Sequence, residues 1–133
     1  MGFPPNRALV PGASRRPQYN LCPQETPAVP DCFQVTTTLP SEAVAQQVAA
    51  QLVEERLAAC GQVMGPVSST YRWKGNIEQA REWYCNLKTT KTRLPALTRR
   101  IQELHPYELP EIVAIPLQHG DSAYLQWIEA EVD

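Results

Sequence analysis

The chain has 133 residues, 43% of them hydrophobic and 20% charged, with a formal net charge of -2. This length holds one domain with a real core and not two. No basic stripe favours a nucleic acid, no run reaches the ~18 apolar residues of a membrane helix, and no apolar leader follows Met1, so a cytoplasmic protein with neither partner is expected.

Residues 1–30 stand apart. Seven of the 13 prolines fall here, and no period of 2 or 3.6 is sustained. Such a stretch buries too little apolar surface to offset chain entropy, so it is expected to be a mobile, dispensable tail. Residues 31–133 are expected to form the folded domain. The four cysteines, Cys22, Cys32, Cys60 and Cys85, contain no C-x-x-C pair, which predicts free thiols in a reducing compartment.

Phe33, Val35, Thr37 and Leu39 alternate with Gln34, Thr36 and Thr38, the pattern of a strand, and Pro40 ends it. Ser41 is a helix cap, and Val44, Val48 and Leu52 recur at i+4 beside Ala45, Ala49, Val53 and Leu57. This predicts a helix reaching about Ala59–Cys60, before Gly61. A second strand is expected over 62–73, with a bulge or bend at Gly65-Pro66. Lys74-Gly75-Asn76 signals a tight hairpin turn, with Gly-Asn as the hairpin dipeptide, and a return strand over 77–89. A second helix is expected from Thr92, with Pro95 in its first turn and Leu94, Leu97, Ile101 and Leu104 as its buried stripe, stopped by His105-Pro106. A fourth strand over 111–117 contains Pro116 and so belongs at a sheet edge. Asp121 caps a short last helix carrying Tyr124, Leu125 and Ile128.

The order strand, helix, strand, strand, helix, strand predicts an α+β fold of ferredoxin-like type. It is a βαββαβ antiparallel sheet with two packed helices and a short C-terminal helix. Right-handed crossovers put the second and fourth strands on opposite edges.

Several blocks then resemble one family in order and spacing. They are Leu57-Ala58-Ala59-Cys60, Tyr71-Arg72-Trp73-Lys74-Gly75, Leu87-Lys88-Thr89-Thr90, His105-Pro106-Tyr107-Glu108-Leu109-Pro110-Glu111-Ile112 and Gly120-Asp121-Ser122-Ala123-Tyr124-Leu125-Gln126-Trp127. Over about residues 32–131 the chain resembles the CutA divalent-cation tolerance family. The resemblance implies a ferredoxin-like homotrimer linked to metal tolerance, chiefly copper, and a likeness to trimeric PII-type signalling proteins. No enzymatic role and no required cofactor are expected.

Two site readings follow. For a metal, His105 is the one imidazole inside a family-like block. With Glu108 it would make an open, mixed N/O site for a divalent cation, weak and preferring Cu(II) to Zn(II). For a small anion, Thr37, Lys88, His105, Tyr107 and Glu111 could line one cleft at the ends of the first, third and fourth strands. The same residues could instead be a polar network that fixes the loop. Tyr71, Trp73 and Trp83, with Tyr84, lie on the long hairpin and are expected as subunit-interface anchors. Two rival classes on this topology are set aside. The chain has no aromatic run of RNA-recognition type and no nucleophile–base pair of a hydrolase.

Overall fold

The computed structural model describes residues 29–133, so the tail read over 1–30 lies, apart from Val29 and Pro30, outside the described residues. Seven elements follow: β1 (Cys32–Leu39), α1 (Glu42–Glu54), β2 (Cys60–Trp73), β3 (Asn76–Thr90), α2 (Leu94–Leu104), β4 (Ile112–Pro116) and α3 (Ser122–Glu131). The strands form one antiparallel sheet in the order β2-β3-β1-β4. This is the expected ferredoxin-like arrangement, with Pro116 on an edge strand.

Strand alternation sorts the residues onto two faces. Val35 and Leu39 of β1 and Cys85 and Leu87 of β3 are fully buried against Ala45, Val48, Ala49 and Leu52 of α1 and Leu97 and Ile101 of α2. Burying each large aliphatic side chain contributes about 1.5–3 kcal/mol. The approach is close: a Cβ on Gly61 would stand 2.9 Å from Ala49 Cβ and 3.0 Å from Leu87 Cδ2. Helix α3 covers one end of the opposite face, where Cys32 packs with Leu125, Ile128 and Val132. Cys60 Sγ lies 3.6 Å from the Tyr124 hydroxyl there. The rest of that face is open, with Met64 57%, Val113 48% and Ile115 55% exposed.

Two boundaries differ from expectation. Helix α1 stops at Glu54 rather than near Cys60. Arg56 turns left-handed at φ 59°, its N–H bonds the Val53 carbonyl, and the Leu57 N–H reaches back to the Leu52 carbonyl at 3.0 Å. This is a Schellman cap, and Leu57, packed against the core, is its apolar contact rather than a further turn of the stripe. The apolar period ran on because the cap needs an apolar residue at that position. The hairpin turn is centred one residue early. Lys74 (φ 48°) and Gly75 (φ 84°) form it, while Asn76 already pairs with Trp73. Positive φ at both central residues matches the twist of the flanking strands. The expected irregularity at Gly65-Pro66 is present as a register shift between Met64 and Val67.

A left-handed conformation costs a side-chain-bearing residue about 1–2 kcal/mol, and only part of that is offset when glycine brings its own chain entropy. Arg56 gains little from Glu131, a surface pair 4.0 Å apart. Arg56→Gly should therefore raise stability by about 0.5–1 kcal/mol in urea unfolding. A loss would mean that the arginine side chain holds this corner.

Candidate functional site

The site starts where α2 stops. His105, the residue after Leu104, is extended at φ -78°, ψ 133°. Its Nδ1 accepts the Tyr107 backbone N–H at 3.1 Å, so the proton sits on Nε2, which donates to the Thr38 carbonyl at 2.7 Å. Both ring nitrogens are thus engaged by the backbone, and the turn after α2 is clamped onto β1. Burial holds the imidazole pKa below its ordinary value, against the opposing pull of the Thr38 carbonyl and the Glu82 charge. Protonation would also set an Nδ1–H against the Tyr107 N–H.

The clamped turn faces the β2–β3 hairpin across a cleft of about 910 Å³. Residues 106–111 form one wall, residues 67–73 of β2 the other, and Thr38, Glu82 and Tyr84 lie between them. The register explains the juxtaposition: Tyr84 pairs with Thr38, and Glu82 pairs with Val67 just past the bulge. Glu82 is only 8% exposed. The Tyr107 hydroxyl donates to its Oε2 at 2.9 Å. Burial, then the Glu82 contact and charge, push the Tyr107 phenol well above its ordinary pKa, so it stays a donor. Trp83 packs close to the bulge, where a Cβ on Gly65 would fall 2.6 Å from its Cδ1.

Comparison with known proteins places the chain in a family. Residues 33–131 match the family described as CutA1 divalent ion tolerance protein. The chain belongs to the CutA divalent-ion tolerance family. It is 46% identical over 94 residues to the divalent-cation tolerance protein CutA of Thermus thermophilus, covering 71% of this chain and 91% of that protein. It is 43% identical over 91 residues to human protein CutA, covering 68% of this chain and 51% of that protein. The crystal structure of CutA from Xylella fastidiosa superposes with a TM-score of 0.75 at 39% identity, covering 77% of this chain and 99% of that one.

The residues read from the family-like blocks separate in space. Tyr107, Glu108 and Glu111 line the cleft together with Tyr71 and Trp73. Lys88 does not join them. It pairs with Gln34, four residues or roughly 13 Å of strand from Thr38. Its Nζ donates to Gln62 Oε1 at 3.2 Å. Thr37 is turned the other way by alternation, into the helix-covered core, and Thr38 takes its place in the cleft. Among the described residues the Thr37 Oγ1 has no hydrogen-bond partner. Trp83 likewise packs against the helix-side core, leaving Tyr71, Trp73 and Tyr84 as the hairpin aromatics at the cleft. The sequence reading missed Glu82. Its signal was a carboxylate in mid-strand, sharing a face with Tyr84 and Asn86.

Copper fits this chain poorly at His105. A ligating imidazole must offer a lone pair, yet Nδ1 already accepts a bond and Nε2 carries the proton. Among the described residues no group of three His, Cys, Asp or Glu side chains is placed to hold a metal ion.

The histidine clamp makes stability depend on pH. In the unfolded chain the imidazole takes a proton near pH 6.5, whereas the folded chain takes it only at lower pH. Between those values the unfolded state binds more protons, so folding stability falls as pH drops below about 6.5. The urea midpoint should decline from pH 7 to pH 5.5, and His105→Gln, less stable throughout, should lose that part of the slope. Identical slopes for both proteins would contradict a neutral buried clamp.

Proposed function

We propose that the chain serves divalent-cation tolerance as a homotrimeric, PII-like ligand-binding regulator and neither stores the metal on His105 nor catalyses a reaction. The observation that carries this reading is the cleft itself. It is about 910 Å³, open, and walled by a clamped turn and a long hairpin that a ligand could bridge. Ligand seated between two elements joined mainly through the sheet would bias their relative position, which is what a sensor requires.

Assembly is supported by the sheet. Its open face exposes Met64, Val113 and Ile115, and Tyr71 on the hairpin is 44% exposed. Apolar exposure of this kind on an open sheet with an accessible edge strand is commonly covered by a second copy. A cytoplasmic setting suits Cys32, Cys60 and Cys85, which are free thiols. No helix among the described residues is long and apolar enough to cross a membrane. The anion version of the reading drew on Lys88 and His105, and this geometry gives it no such pair.

Light scattering of the full chain should give about three times its 14.9 kDa mass. In calorimetry with Cu(II), His105→Gln should titrate like the wild type. A monomer at all concentrations removes the trimer. Stoichiometric Cu(II) binding that His105→Gln abolishes replaces the regulator with a metal carrier.

A further inference from the structure

We propose that the cleft recognises an organic cation, an ammonium or guanidinium group seated on the Glu82 carboxylate. This rests on the ligand-binding reading above and names the chemistry of what binds. Glu82 is a carboxylate 8% exposed, and among the described residues its hydrogen bond comes from a neutral phenol, Tyr107. None of the ion pairs among the described residues involves it. Removing a carboxylate from water costs several kcal/mol, and proteins that keep such a charge normally supply a counter-charge. The rest of the cleft does not supply one. Glu108 and Glu111 on the turn have the same sign. The lining includes one basic residue, Arg72, which pairs with Ile77 and so alternates to the hairpin face opposite Tyr71. Among the described residues no cationic side chain forms an ion pair with Glu82, which leaves the carboxylate open to a cation from a ligand or a second copy.

The surrounding side chains say which kind. Tyr71, Tyr84 and Tyr107 border the same space, and Tyr84 shares a strand face with Glu82 two residues away. Aromatic faces attract weakly hydrated organic cations, most strongly once these are desolvated. A hard divalent ion instead needs several oxygens converging on one point. No such group of three is present among the described residues. A carboxylate fixed by a phenolic donor beside three rings therefore suits an amine or guanidine better than a bare metal or an anion. The group could be carried by a free small molecule or by an arginine or lysine of a second copy of the chain. The chemistry at Glu82 is the same in both cases.

Glu82→Gln separates these cases, because glutamine keeps the size and can still accept from Tyr107. Wild type and variant, as full chains with matched melting curves, are titrated calorimetrically with spermidine, arginine methyl ester and inorganic phosphate. Their assembly is followed by sedimentation velocity. Saturable binding of either cation, weakened roughly 10- to 100-fold by Glu82→Gln with assembly unchanged, supports a free cationic ligand. Weakened assembly of the variant, with no cation bound by the wild type, supports a cationic side chain of a second copy. Cation binding that Glu82→Gln leaves intact overturns the proposal. So does a wild type that binds no cation and assembles as the variant does. Phosphate binding without cation binding overturns it too, while leaving the ligand-binding reading standing. Binding of no probe, with unchanged assembly, removes both.

Discussion

The hydrogen bond from His105 Nε2 to the Thr38 carbonyl, 2.7 Å long, fixes the geometry on which the rest of the site depends. It joins the end of α2 to the middle of the sheet. The Tyr107 N–H, bonded to the other ring nitrogen, makes the turn follow the imidazole. Tyr107 is then held where its hydroxyl reaches Glu82. One ring thus sets the cleft wall, orients the phenol and keeps a charged strand residue satisfied enough to stay buried. Each of these bonds contributes on the order of 1 kcal/mol net. Their greater consequence is positional, since loss of the ring would free a whole wall of the cleft.

The sheet divides the work between its faces. The helix-covered face carries the stability, through Leu39, Leu52, Leu87, Leu97 and Ile101, all fully buried. On the other face α3 seals one end, the cleft opens at the other, and exposed apolar residues lie between. Substitutions on the first face act on folding, whereas substitutions around Glu82 test the binding proposed for the cleft. Membership of a metal-tolerance family does not require the metal to touch this chain. The response proposed for this chain is exercised through a ligand or through assembly.

The architecture was legible because each element carried its own signal. Period-two β1, the Ser41 cap, the hairpin glycine and Pro116 at an edge each fixed one element locally, and crossover handedness then fixed the sheet order. The end of α1 was misread because Leu57 serves a cap contact with the same apolar character as a helix stripe. The site was legible only in part. The turn from His105 to Glu111 could be found as one block because its residues are adjacent in sequence. Thr37 and Lys88 depended on register, and a shift of one residue moves a side chain through the sheet, while four residues move it along by more than the width of a cleft. Glu82 gave almost no local sign, because its meaning comes from Tyr107, 25 residues away.

The state of the His105 ring is the central claim, and nitrogen-detected NMR of the imidazole across a pH titration tests it most directly. The geometry predicts a neutral ring with its proton on Nε2, a bare accepting Nδ1, and protonation only below the ordinary imidazole value of 6.5. A ring protonated on Nδ1 at neutral pH, or one that titrates at or above that value, would contradict the clamp and return His105 to the set of available ligands.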